Sequence, residues 1–472
     1  MSEFIKFPDN FWWGAATSGP QSEGEFDKPH KNVMDYWYDK CPEDFFDNVG
    51  PGVASNFYYT YKDDLKLMKE AGFNSFRTSI QWSRLIKDFE TGEVDEKAVD
   101  YYNRLIDEAH NNDITLVLNL HHFDMPSELL EKYGGWESKH VVDLFVLFAK
   151  QVFKLFGKKV KYFTTFNEPM VIPEAGYMYG FHYPKINGEG KRAMQIIYNI
   201  NLASARVISL YKDMEMDGKI GIILNLTPAY PRSDSKEDLK ASEVADLVFN
   251  RSFLDPAVKS KFPDELVELL KNDGVLWEST IEEMEIINTS KVDFLGVNYY
   301  HPKRVKAQDN PEKYQDKWMP DKYFEEYEMP GRRVNPYRGW EIYPKSIYDI
   351  AMNVKDNYGN IDWYISENGM GVEGEEKYID ENGELNDDYR IDFYKEHLAW
   401  LKKAIDEGSN CFGFHAWTAV DCWSWNNAYK NRYGFIGYDL KTGNRFMKKS
   451  GRWYKKLSDN HGFIYDLENE IK

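Results

Sequence analysis

Cysteine is scarce. Cys41, Cys411 and Cys422 are the three in a chain of 472 residues, an odd number too widely spread for a disulfide framework, so reduced thiols are expected. Positive charge is also in deficit: 59 Lys and Arg face 78 Asp and Glu, a formal net charge of −19. So acidic a chain lacks the basic surface that nucleic acid or an anionic membrane requires. An anionic small molecule is not excluded, because a few local cations can hold one. No apolar run approaches the roughly 20 residues of a membrane span, and the path from Met1 to Phe7-Pro8 lacks the basic and apolar segments of a secretory signal. The expected location is cytoplasmic. Metal-ligand spacing is missing too: His121-His122 are adjacent and His-Glu-x-x-His does not occur, so neither a metal nor another cofactor is expected.

Aromatic residues, in contrast, make up 16% of the chain, with 14 Trp and 33 Tyr, enough for a large core and an aromatic-lined cleft. Short β-rich runs alternate with amphipathic helical stretches, the pattern of βα units around a parallel sheet. Eight such runs stand out: Phe11 to Thr17, Ser75 to Ile80, Thr115 to Phe123, Tyr162 to Glu168, Lys219 to Leu226, Phe294 to Tyr300, Trp363 to Glu367, and Cys411 to Trp417. Helical periodicity appears at Lys97 to Asn112, Val141 to Phe156, Met194 to Tyr211 and Asp387 to Ile405. An open doubly wound sheet is the competing arrangement, but eight repeats and no Gly-x-Gly-x-x-Gly after the first strand favour closure. The predicted fold is therefore α/β: one (β/α)8 TIM barrel over residues 1–472, with its active site at the C-terminal ends of the strands. The charged segment from about Ala307 to Arg338 reads as a long loop that builds one wall of that site.

The chemistry-bearing residues fall at those strand ends. Asn167-Glu168-Pro169 follows one apolar run, and Ser366-Glu367-Asn368-Gly369 follows another. A carboxylate there is costly unless something uses it. One such Glu alone is more often a helix cap or an ion-pair partner, but two on different strands, each flanked by Asn and by Pro or Gly, suit glycoside hydrolysis. That reaction needs one protonated carboxylic acid beside the leaving oxygen and one carboxylate across the anomeric carbon, and their separation decides between retention and inversion.

The motifs Phe11-Trp12-Trp13-Gly14-Ala15-Ala16-Thr17, Gln21-Ser22-Glu23-Gly24, Arg77-Thr78-Ser79-Ile80, His122-Phe123-Asp124 and Tyr133-Gly134-Gly135-Trp136 continue through Thr165-Phe166-Asn167-Glu168-Pro169, Asn298-Tyr299-Tyr300, Gly339-Trp340-Glu341 and Ile365-Ser366-Glu367-Asn368-Gly369. In this order and over nearly the full length, the chain resembles a family 1 glycoside hydrolase. The resemblance implies retention, with Glu168 as acid/base and Glu367 as nucleophile. It implies that Arg77 and Tyr300 support the nucleophile. Gln21, His122, Asn167 and Asn298 would bind the glycone above the Trp417 platform. Trp340 would carry the aglycone, and Trp423 and Trp425 would complete the substrate-binding set.

Plain glucosidases of this family carry a Glu on the stretch after the last strand, where it binds the sugar's 4- and 6-hydroxyls. Here Ser424 takes that position. A carboxylate would repel a 6-phosphate whereas a hydroxyl can donate to it. With the downstream Lys430 and Tyr433, Ser424 resembles the phosphate set of the 6-phospho-β-glycosidase branch. Some branch members carry the Lys one position later, where this chain has Asn431, so Asn431 or Arg432 are alternatives to Lys430. The expected function is 6-phospho-β-glucosidase, with a phosphorylated disaccharide or aryl glycoside as substrate, downstream of a phosphotransferase uptake system. A 6-phospho-β-galactosidase is the close alternative, since the two sugars differ in one hydroxyl. An unphosphorylated β-glucosidase would predict Glu at position 424. A non-catalytic sugar-phosphate-binding barrel would predict loss of Glu168 or Glu367. Oligomeric state is not legible.

Overall fold

The computed structural model describes residues 3–465. Eight parallel strands close into a barrel: β1 (Trp12–Ala16), β2 (Ser75–Ser79), β3 (Thr115–Asn119), β4 (Tyr162–Asn167), β5 (Lys219–Asn225), β6 (Phe294–Asn298), β7 (Trp363–Glu367) and β8 (Cys411–Trp417). Each pairs with the next in sequence, and β8 closes on β1 through Gly413 opposite Trp12 to Trp417 opposite Ala16. All eight strands coincide with the eight predicted runs. Six are shorter than their runs; among them, β3 stops at Asn119, whose side-chain amide donates to the His121 carbonyl at 2.6 Å, and β6 stops at Asn298. The residues past these ends turn inward as loops.

Helices cover the outside for ordinary amphipathic reasons. Glu96–Asn111 buries Ala98, Tyr101, Tyr102, Leu105, Ile106 and Ala109 and is capped by Asp95, whose carboxylate accepts from the Ala98 amide at 2.9 Å. Lys139–Phe156, Gly190–Asp213 and Asp388–Asp406 match the other three predicted helices. The barrel floor is filled by aromatic rings: Trp12 meets Tyr162 edge-on at 4.8 Å and Phe412 at 5.0 Å. In barrels of this kind the active site lies at the other end, where the C-termini of the strands open. Gly14 is required where β1 crosses β2, because a Cβ there would collide with the Ser75 carbonyl.

The predicted loop from Ala307 to Arg338 has structure of its own. Lys303–Ala307 pairs antiparallel with Phe324–Glu326 and parallel with Ala229–Pro231, making a small three-stranded sheet above the barrel mouth. Among the described residues, no helix is long and apolar enough to cross a membrane.

Candidate active site

A cavity of about 700 Å³ opens at the C-terminal ends of the strands, and both Glu168 and Glu367 line it. Each carboxylate is placed by its strand. Glu367 is the last residue of β7, in register with Asn298 of β6. Glu168 follows β4 directly, with φ of +47°. Phe123 and Trp425, also on the cavity wall, have φ of +64° and +53°. Non-glycine residues at positive φ are strained, and such strain collects where the surrounding structure fixes a functional geometry.

The two carboxylates have opposite surroundings. Glu367 is buried and receives an Arg77 Nη2 donor on Oε1 and the Tyr300 hydroxyl on Oε2, the latter at 2.6 Å. Glu168 receives one amide, from Asn298 Nδ2 at 2.9 Å. Burial, and then the charge of Glu367, push its pKa up to about 8. One cavity thus holds a proton-bearing carboxyl and a carboxylate braced by a guanidinium and a phenol, the division of labour that acid and nucleophile require.

A shell of neutral donors and acceptors surrounds the pair. Asn298 Nδ2 also donates to Asn167 Oδ1 at 3.1 Å, and Asn167 Nδ2 lies 3.4 Å from His122 Nε2. Arg77 Nη1 approaches His122 Nδ1 at 3.3 Å. Burial, then the charge of Arg77, hold the His122 pKa well below the usual imidazole range. Gln21, His122, Tyr300 and Trp417 line the cavity. Trp340 stands between Tyr300 and His301, at 5.4 and 5.2 Å.

On the last-strand side, Ser424, Trp425 and Tyr433 line the cavity. Lys430 does not: its ammonium lies 3.4 Å from Glu373 and over the Phe46 ring at 5.6 Å. Nor does Trp423, which is fully buried, donates its indole N–H to the Val49 carbonyl at 2.9 Å and stacks on Phe45. Arg432 lies over the Tyr429 ring and reaches the Tyr438 carbonyl at 3.4 Å. Asn431 is buried with neither end of its amide partnered.

Sequence reasoning missed two groups. Arg338, three residues after Asn335 and beside the Gly339-Trp340 motif, lines the cavity with its guanidinium 4.3 Å from the Trp340 ring centre. The second group is a buried ion network that fixes the loop after β8. Lys448 Nζ contacts Asp421 at 3.0 Å and Glu375 at 2.6 Å. Asp421 accepts the Gly434 amide at 2.7 Å. Arg390 binds Glu375, pairs with Asp387 at 3.0 Å and donates to the Tyr433 carbonyl at 3.2 Å. Burial alone would raise the Glu375 pKa, but Lys448 and Arg390 outweigh it and hold the value at about 2.

The model for glycosyl hydrolase family 1 matches residues 4–463. The chain belongs to that family. It is 54% identical over 465 residues to the 6-phospho-beta-glucosidase GmuD of Bacillus subtilis (strain 168), covering 98% of this chain and 99% of that protein. It is 36% identical to a 6-phospho-beta-galactosidase of Clostridium acetobutylicum, covering 96% of this chain and 97% of that protein. Among solved structures, the family 1 β-glucosidase from Thermotoga maritima superposes with a TM-score of 0.89 at 31% identity, covering 98% of this chain and all of that one. The family 1 fold, a closed (β/α)8 barrel, is therefore common to this chain and its solved relative.

Proposed function

We propose that this family 1 enzyme is a 6-phospho-β-glucosidase that hydrolyses 6-phospho-β-D-glucosides with retention. The observation that carries the reading is Ser424, a hydroxyl on the cavity wall at the position where plain glucosidases of the family carry a carboxylate. The 54% identity to a 6-phospho-beta-glucosidase supports it.

In the first step Glu367 attacks the anomeric carbon while Glu168 gives its proton to the glycosidic oxygen, so the aglycone leaves as a neutral alcohol. In the second, ionised Glu168 takes a proton from water, the resulting hydroxide oxygen bonds to the anomeric carbon, and Glu367 departs as a carboxylate. The products are the 6-phosphorylated sugar and the aglycone. Arg77 and Tyr300 hold Glu367 for attack. Gln21, His122, Asn167 and Asn298 serve the glycone hydroxyls over Trp417. Trp340 serves the aglycone, Trp425 walls the glycone, and Trp423 acts from behind by fixing the loop. Ser424 and Tyr433 face the phosphate. The natural substrate is a phosphorylated disaccharide or aryl glycoside taken from a phosphotransferase uptake system in the cytoplasm.

A 6-phospho-β-galactosidase is the second reading, favoured by the 36% identical clostridial relative of that name. The deciding measurement is kcat/KM for p-nitrophenyl β-D-glucoside 6-phosphate, the matching galactoside 6-phosphate and the unphosphorylated glucoside. A preference for the glucoside 6-phosphate is expected. Faster turnover of the unphosphorylated glucoside would remove the phosphate assignment, and faster turnover of the galactoside 6-phosphate would exchange the two readings.

A further inference from the structure

A dianionic phosphate entering this cavity meets a wall rich in acidic residues: besides the proton-bearing Glu168, Glu174, Asp321, Glu326 and Glu367 all line it. Some cation must offset them, because like charges in a partly desolvated site repel strongly. The sequence offers Lys430, but its ammonium lies off the cavity wall beside Glu373. Two cations do line the cavity, Lys303 and Arg338. Lys303 is engaged, 3.9 Å from Glu174 and 3.8 Å from Glu326.

Arg338 is free. Among the described residues no carboxylate pairs with it, and its Nε is buried without a partner. One face of the guanidinium is covered by Trp340 at 4.3 Å, which orients the planar group and leaves its edge for a ligand. Arg338 and Tyr433 line the same cavity. The short turn that presents it is tied to the loop after β7: the Arg338 amide donates to the Asn335 carbonyl, and Asn335 Nδ2 donates to the carbonyl of Gly371, which packs against the Tyr433 ring, at 3.0 Å.

We infer that Arg338, and not Lys430, supplies the cation that binds the substrate's phosphate, closing over it from the aglycone side while Ser424 and Tyr433 hold it from the last-strand side. The inference rests on the phosphoglycosidase reading above and adds a residue to it. An arginine fits this task better than a lysine because its forked donors match two phosphate oxygens at once.

The test compares wild type with Arg338→Gln, Arg338→Lys and Lys430→Ala on p-nitrophenyl β-D-glucoside with and without the 6-phosphate. Because both substrates share one aglycone, the unphosphorylated compound reports folding and aglycone contacts in every variant. For Arg338→Gln the ratio of kcat/KM, phosphorylated over unphosphorylated, should fall by about 10- to 100-fold, the usual loss for one charge-assisted contact. Most of it should appear in KM, and Arg338→Lys should recover part. Inhibition by glucose 6-phosphate should weaken in parallel. An equal loss on both substrates, or a larger drop in the ratio for Lys430→Ala, would overturn the assignment while leaving the phosphoglycosidase reading intact. A wild type that prefers the unphosphorylated glucoside would overturn both.

Discussion

Removing the charge of Glu367 should lower the Glu168 pKa by about 2 pH units, leaving the part of its elevation that burial causes. Glu168 titrates near 8 because it is desolvated and because Glu367 is ionised beside it. Retaining carboxyl pairs lie about 5 Å apart, and at that separation with an effective dielectric of about 20 the repulsion is roughly 3 kcal/mol, or about 2 pH units. Glu367→Gln should therefore lower the Glu168 pKa to near 6, with the remaining elevation due to burial. On the proposed mechanism the protonated form of Glu168 is the acid, so kcat/KM should hold up to about pH 8 and fall above it. The second ionisation of a sugar phosphate, near pH 6, lies well below that limb and cannot produce it. The inactive Glu367→Gln variant is followed by infrared difference spectroscopy of the protonated carboxyl stretch, with Glu168→Gln/Glu367→Gln as the blank. The reasoning fails if the Glu168 band titrates at the same pH whether or not Glu367 is charged, or if the wild-type alkaline limb lies near pH 5.

Ser424→Glu places a carboxylate beside the phosphate; at roughly 6 Å each pair of unit charges costs about 3 kcal/mol, so kcat/KM for the phosphorylated glucoside should fall at least about 100-fold, and a comparable loss on the unphosphorylated glucoside would remove Ser424 from the phosphate site. Tyr300→Phe deletes the 2.6 Å hydrogen bond to Glu367 and should lower kcat by about 10- to 100-fold, measured as the rate of glycosylation in a stopped-flow burst; a change confined to KM would contradict the assignment. Lys448→Ala strands the buried carboxylates of Asp421 and Glu375 and should cost about 3–5 kcal/mol of stability, read by denaturant unfolding; a loss under about 1 kcal/mol, typical of surface pairs, would show that the network is not what fixes the loop.

The barrel was legible because its signal is local. Each strand is a run of apolar residues buried on both faces, and each helix repeats its apolar positions at 3.6 residues. The proposed catalytic pair stands out for a related reason: Glu168 and Glu367 sit at strand ends, where a run stops and a carboxylate has no structural excuse. Side chains that act across the cavity carry no such mark. Lys430 lies within three residues of Tyr433, yet the backbone turns it toward Glu373 and Phe46, whereas Arg338 comes from a loop 95 residues earlier and arrives at the same rim. Trp423, adjacent to Ser424, alternates away from the cavity into the Val49 and Phe45 side. Proximity in sequence does not decide which side chain faces the cavity: Arg338 lines it and Lys430 does not.

The buried ion network fixes the loop after β8 independently of the residues at 430 and 431. Lys448, Asp421, Glu375, Arg390 and Asp387 are all nearly inaccessible, and they fix the loop through the Gly434 amide and the Tyr433 carbonyl. Those contacts are to backbone and do not depend on which residue stands at 430 or 431. A scaffold held this way keeps Ser424 and Tyr433 on the cavity wall whichever residue supplies the positive charge. The cation can then come from the opposite wall, where a guanidinium already lies flat on Trp340 and loses little further freedom on binding its ligand. A phosphate gripped from both rims also ties the mouth of the cavity to the glycone. Binding energy at the 6-position would then help to hold the anomeric carbon against Glu367, so loss of the phosphate should lower kcat as well as raise KM.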